Sequence, residues 1–344
     1  MNIGKMRSFH RPFIFWIICL VLLGSCLLYP FGIWAVNANA PLTPVNMIVQ
    51  WVPQSQFAGY YVAIEKGFYR REGLDVHMIR GGPDQDPGQY LASGQAEFAT
   101  AFLTGALSYR ENGIPVVNLA QVVNRSNQVV IAWKDKKIDE VKDLNGRKIS
   151  VWEGGFRPGF LAFFQANQVN PVIIPQYYSV SLFLLRGVDA CVSMYYNEYH
   201  MLYQSGINAE ELSTFLLRDY GFDLPEDGIY CLEKTYQNNP KLCQAFVKAS
   251  LDGWSYAGAH PEEALDIVMK YVREANVPTN REHMKWMLNS ILPTIIPGSE
   301  DKWLMGKLEP ADYQKTVQLM QEQGQIKSAP SYEAFRGEGI ADAP

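Results

Sequence analysis

The sequence predicts an α/β protein of two lobes. Each lobe is a mostly parallel sheet flanked by helices, and a ligand cleft lies between them. Three observations lead there. From residue 45, strand-like runs alternate with helical segments of roughly 10–15 residues, the signature of βαβ units. The alternation restarts at residue 128, and from residue 239 it gives way to helices alone. With 344 residues the chain also exceeds one domain of ~150 residues.

In the first series, residues 45–52 are β-rich and 59–73 have helical spacing ended by Gly73. Residues 74–82 form a strand ending in glycines, 86–95 a short helix and 96–102 a strand. A helix over 103–113 stops at Gly113, and 114–123 is the next strand. Glycine at these stops fits the left-handed backbone that ends a helix.

The second series opens with a strand at 128–134. Residues 139–155 hold a short helix, a turn at Asn145-Gly146 and a strand over 148–152. A helix at 157–168, a strand edge at 175–180, a short helix at 181–187 and a strand at 188–196 follow. Residues 197–206 are helical, 211–221 a strand with its turn, and 228–236 run from strand into helix.

Beyond that, 239–275 read as two amphipathic helices split at His260-Pro261. Further helices follow at 279–295 and 309–324, with Glu309 and Asp312 at the dipole-favoured start of the last one. These helices are expected to return to the first lobe. Lobe 1 is then 41–127 with 232–344, and lobe 2 is 128–231. The two exchanges fall near 124–135 and 222–232, a two-segment hinge around a cleft.

Residues 1–40 are a separate object. Lys5, Arg7 and Arg11 precede an apolar run over 13–29, and small residues follow. A basic start, an apolar stretch and small residues make an export signal. Three readings compete: cleavage after Ala38, lipidation of Cys26 in a Leu-Gly-Ser-Cys box, or an uncleaved anchor at the short limit for a bilayer span. All three place residues 41–344 outside the cytoplasmic membrane, in the periplasm or on the membrane's outer face. Losing the three cations moves the formal charge from −5 to −8.

The composition, 48% hydrophobic and 19% charged, supports a sizeable core. The negative charge excludes an ordinary nucleic-acid binder. Cys191, Cys231 and Cys243 lie beyond the signal without any CxxC spacing. Cys231 and Cys243 could pair in an oxidising compartment, or all three could be ordinary buried thiols. No GxSxG, P-loop, HExxH or strand-to-helix GxGxxG is present, so no catalytic residue is assigned. His77, His200, His260 and His283 are scattered and read as ordinary surface or core residues. Neither a metal nor a cofactor is expected.

Candidate ligand residues sit at strand ends, where open α/β sheets bind. Trp51 follows the first strand, with Gln54, Gln56, Phe57 and Tyr60 just beyond. An aromatic wall and a few amides suit a flat ring, although Trp51 and Tyr60 could equally be core. Gly81-Gly82-Pro83 permits close backbone approach or is a plain turn. Thr104-Gly105 opens a helix whose free N–H groups can hold an anion or carbonyl. Glu153, Gly154, Gly155 and Phe156 lead into another helix, beside Arg157. Tyr195, Asn197 and Glu198 close the strand over 188–196. A carboxylate beside an amide can hold the N–H and C=O edge of a heterocycle. Alternatively, Asn197 is a helix N-cap and Glu198 a solvated first-turn acid.

The blocks W.PQSQFAGYYVAIEKGFYRREGLDV, L..GQAEFA, LNGRKISVWEGGF, VDACVSMYYNEY and FVKASLDGWSYAGAHPEEALDIV occur in order between about residues 45 and 275. Together they resemble the solute-binding proteins of ABC importers that take sulfonates, nitrate or thiamine-pyrimidine precursors. The resemblance implies a type II periplasmic-binding fold and a monomer. It also implies that a small solute is delivered to a permease and ATPase, and that the chain meets the membrane through that permease or its N-terminus. The YYNEY block is most similar to binders of thiamine pyrimidines such as formylaminopyrimidine, and to relatives proposed for riboflavin. Carried over, Trp51 and Tyr60 would stack on the ring and Asn197 and Glu198 would bond its edge. Gly81-Gly82-Pro83 and Gly154-Gly155-Phe156 would then approach a polar tail. Alkanesulfonate, taurine or nitrate is the alternative ligand class. An enzymatic branch makes the thiamine pyrimidine from pyridoxal phosphate and its own histidine, with a cysteine-rich motif. This chain departs from it: Gln54 and Gln56, with no histidine, follow Trp51-Val52-Pro53, and no cysteine cluster occurs.

Overall fold

The computed structural model describes residues 41–177 and 179–337. The expected signal, Ala38 and Cys26 lie outside the described residues. Among those described, no helix is long and apolar enough to cross a membrane.

The first sheet is built from β1 (Thr43–Ile48), β2 (Leu74–Ile79), β3 (Phe98–Phe102) and β4 (Val116–Gln121). The second holds β5 (Gln128–Trp133), β6 (Lys148–Trp152), β7 (Val172–Gln176), β8 (Ala190–Met194) and β9 (Leu212–Leu216). β10 (Asp227–Leu232) returns to the first sheet. The orders are β2-β1-β3-β10-β4 and β7-β6-β8-β5-β9. In each sheet four strands share a direction and one opposes them. The opposed strands, β5 and β10, are the first after each crossing between sheets. A chain arriving from the cleft must run away from it, whereas the other strands end there.

This topology corrects the expected boundary. Residues 227–231 pair with β3 and β4, so they belong to the first sheet rather than the second lobe. The strand edge expected at 175–180 begins earlier, at Val172, and ends at Gln176. Its Pro175 is tolerated because β7 is an edge strand.

The central strands β3, β8 and β10 are buried along their whole length. Both faces of each sheet are covered, which explains why these runs read as continuous apolar segments. The helix expected over 59–73 divides into α1 (Ala58–Glu65) and α2 (Phe68–Arg71), because Gly67 takes a left-handed conformation with φ of 70°. The C-terminal helices include α9 (Pro240–Ala259), α10 (Pro261–Glu274), α11 (Arg281–Ile295) and α12 (Pro310–Glu322). Helices α9 to α11 pack with α1 on one face of the first sheet, and α12 contributes to the core on the other. Helices α1 and α9 cross at glycines. A Cβ on Gly253 would strike the Gly59 carbonyl and lie 2.9 Å from the Ala63 Cβ.

Both crossings are polar and buried. The Glu226 carboxylate accepts from the Asn127 backbone N–H at 2.5 Å and from Asn127 Nδ2 at 2.9 Å. Gln121 Nε2 donates to the carbonyls of Glu226 and Asp227, each at 3.0 Å. The two connecting segments are thus stitched to each other. The cysteine pairing considered above is not formed: Cys191, Cys231 and Cys243 are free and buried. Cys231 and Cys243 lie in one apolar core, and burial pushes the Cys231 thiol up.

Candidate functional site

The strands that end at the cleft deliver its lining. Gln50 and Trp51 follow β1, and Phe102 ends β3. Trp152 ends β6 and leads into Glu153–Phe156, while Gln176 ends β7. β8 hands over Met194, Tyr196, Asn197 and Glu198. Ligand-facing residues at the carboxyl ends of two facing sheets are the arrangement expected of an α/β binding cleft.

Aromatic rings from both sheets meet there. Trp51 stands edge-on to Trp152 at 5.7 Å and to Phe156 at 6.1 Å, and Phe156 is 4.7 Å from Phe102. Here the sheets approach closely. The Thr104 hydroxyl donates to the Gly155 carbonyl at 2.6 Å, and a Cβ on Gly155 would lie 3.2 Å from the Gly105 Cα. Gln128 Nε2 donates to the Phe156 carbonyl at 3.1 Å.

On one side of the rings lies Glu198, buried at the start of the helix Glu198–Gln204. Its carboxylate accepts from the Met194 backbone N–H at 2.8 Å and from Asn197 Nδ2 at 2.7 Å. Burial nevertheless raises its pKa to about 7. On the other side opens a cavity of about 950 Å³. Gln50, Gly82, Gln85, Gln89, Gln176 and Gln325 are among its lining residues. Arg157, the one cation among the lining residues named for it, is paired with Glu153. Gln50 donates to Asp227, whose buried carboxyl is raised to about 7.

Of the expected residues, Trp51, Gly82, Glu153, Gly155, Phe156, Asn197 and Glu198 border these spaces. Gln54 borders an adjoining space of about 160 Å³ with Asn197 and His283, and its buried Oε1 has no partner. Thr104 spends its hydroxyl on Gly155. Three residues are placed elsewhere. Phe57 and Tyr60 are fully buried in the first core, Tyr60 edge-on to Trp254 at 5.8 Å. They lie on the sheet-facing side of their turn and helix. Tyr195 stacks on Tyr199 at 4.9 Å. In the turn after β8 it is Tyr196, and not Tyr195, that lines the cleft. Glu198 is a buried acceptor and not a solvated first-turn acid.

Sequence reasoning missed Trp152, Tyr196, Gln50 and Gln176. Trp152 and Gln176 are strand-terminal residues, and that position was the available signal.

Residues 54–264 match the family model described as NMT1/THI5 like. The chain belongs to that family. Within it, this NMT1/THI5-like protein is 29% identical to the riboflavin-binding protein RibY of Chloroflexus aurantiacus, over 71% of this chain and 70% of that one. It is 28% identical to the formylaminopyrimidine-binding protein of Halalkalibacterium halodurans, over 73% and 77% of the two chains. Its fold is that of the periplasmic aliphatic sulphonate binding protein SsuA from Escherichia coli, with a TM-score of 0.64, 14% identity and coverage of 88% and 99%.

Proposed function

We propose that this NMT1/THI5-like protein is the extracytoplasmic solute-binding component of an ABC importer. Its ligand is a neutral, ring-bearing vitamin or vitamin precursor. The observation that carries this reading is the aromatic group Trp51, Trp152 and Phe156 beside the buried acceptor Glu198. A ring seated on Trp51 would present an N–H edge to Glu198. Two relatives of similar identity are a riboflavin-binding and a formylaminopyrimidine-binding protein. The 950 Å³ cavity and its glutamines favour the flavin, whose polyol tail needs room and amide partners. Formylaminopyrimidine is the second reading, supported by the same ring and acceptor.

A sulfonate or nitrate ligand is not favoured. It needs a free cation, and the one cation among the residues named for the cavity, Arg157, is already paired with Glu153. The protein captures and releases its solute without chemistry, as a monomer. It passes the solute to a permease and ATPase from the outer side of the membrane, where residues 1–40 act as signal or anchor. Closure follows from the ligand bridging both sheets and so binding the closed state better than the open one. A micromolar Kd corresponds to about −8 kcal/mol, within reach of one stacked ring and a few hydrogen bonds.

The test is a thermal-shift and tryptophan-fluorescence screen of residues 41–344 against riboflavin, formylaminopyrimidine, taurine and nitrate. Riboflavin or the pyrimidine should raise the melting temperature and quench fluorescence. Stabilisation by taurine or nitrate alone would reverse the assignment.

A further inference from the structure

Two histidines that the sequence scatters meet behind Glu198. His283, on α11, places Nε2 3.0 Å from Asn197 Oδ1, and its Nδ1 lies 2.9 Å from Nδ1 of His200. The two imidazoles are nearly parallel, and His200 also stacks on Trp286 at 4.8 Å.

The proton positions follow from the chemistry of the groups. Both Glu198 oxygens accept, one from the Met194 N–H and the other from Asn197 Nδ2, so the Asn197 atom facing Glu198 is its N–H₂. Asn197 Oδ1 must then face His283, and His283 Nε2 must carry a hydrogen. Burial holds His283 neutral, with a pKa lowered to about 4. A neutral imidazole has one N–H, so His283 Nδ1 is bare and accepts from His200 Nδ1–H. Every donor in the series points the same way, from His200 through His283 and Asn197 to Glu198.

We infer that His283 is a positioning residue that fixes the donor–acceptor sense of the ligand-binding edge. Its Nε2–H holds the Asn197 amide in the orientation that donates to Glu198, so Glu198 meets the ligand as an acceptor. With the opposite amide orientation, Asn197 Oδ1 would face the carboxylate and favour its protonated, donating form. His283 therefore selects ligands that bring an N–H to Glu198 over those that bring a bare nitrogen or oxygen. The inference rests on the reading of Glu198 as the ligand's partner.

The test compares wild type, H283L and H283Q for binding of riboflavin and of 3-methylriboflavin, which lacks the ring N–H. The glutamine Nε2 can replace the imidazole N–H toward Asn197, whereas leucine cannot. Wild type should prefer riboflavin. H283L should lose about tenfold of that preference, the worth of one buried hydrogen bond to a polar network. H283Q should restore it. A purely structural role would weaken both ligands equally, and an unchanged preference in H283L would overturn the assignment. Long-range ¹H–¹⁵N spectra of the wild type give a ligand-free arm. They should show His283 protonated at Nε2 and bare at Nδ1, and the reverse tautomer would overturn the inference even if H283L fails to fold. Wild type that binds neither riboflavin nor formylaminopyrimidine would overturn the ligand reading and this assignment with it.

Discussion

The Thr104 hydroxyl donates to the Gly155 carbonyl at 2.6 Å, joining the cleft end of one sheet directly to that of the other. The contact is this short because Gly105 and Gly155 meet without side chains. It ties the two sheets together at the cleft without lying against the aromatic rings' acceptor Glu198.

A wedge at this contact should open the cleft. We predict that Gly155→Val weakens ligand binding by about tenfold. The melting temperature should change little, because no core is disturbed. Small-angle scattering should show a larger radius of gyration than wild type. An unchanged radius would mean that Gly155 does not set closure.

Trp51 touches both Trp152 and Phe156, so its removal takes away one wall of the ring site. Trp51→Ala should weaken riboflavin binding by at least about tenfold, from lost ring contact alone. Titration by flavin fluorescence reads the effect, and circular dichroism checks the fold. Equal affinity in mutant and wild type would move the ring elsewhere in the cleft.

Burial raises the pKa of Glu198 and Asp227 to about 7 and of Glu226 to about 8. In the unfolded chain carboxyls titrate near 4, so between about pH 4 and pH 8 the folded protein holds more protons. These groups therefore make stability fall as pH rises from about 4, levelling off above about 7 to 8. His283 acts oppositely, costing stability as pH falls from about 6.5 toward 4. Stability should peak on the acid side of neutrality. Asp227→Asn should flatten the decline between about pH 4 and pH 7, measured as melting temperature against pH. A variant with the wild-type slope would show that Asp227 stays ionised in the fold.

At the crossing of α1 and α9, Gly253→Ala places a methyl against the Gly59 carbonyl. The expected cost is about 1–3 kcal/mol of stability, as for other overpacked cores. Urea unfolding checks it. The cleft lies elsewhere, so ligand affinity at low temperature should be retained.

Much of this was readable in advance, for identifiable reasons. The alternation of strand and helix, and the change to helices near residue 239, are local patterns, and the sheets follow from them. Trp51, Asn197 and Glu198 stand at strand ends, and strand ends face the cleft. The misplacements are matters of facing. Tyr195 and Tyr196 are chemically alike and adjacent, and only the turn that follows β8 decides which one lines the cleft. Phe57 and Tyr60 sit on a short 3₁₀ turn and helix whose rotation is set by packing against Trp254. His283 lies 86 residues from Asn197, and nothing local could join them.

The strand orders carry a consequence for how the chain folds. β10 lies between β3 and β4, yet it is made only after the entire second sheet. The second sheet is continuous in the sequence, from β5 to β9, and can pair as it emerges. The first must leave a gap one strand wide until residue 227 arrives, so its long-range pairing comes late and slowly. Until then the inner edges of β3 and β4 are open, and each is a template for another chain. A molecule caught at that stage is vulnerable to aggregation, which makes prompt completion through Asp227–Leu232 the step that a holding chaperone would protect.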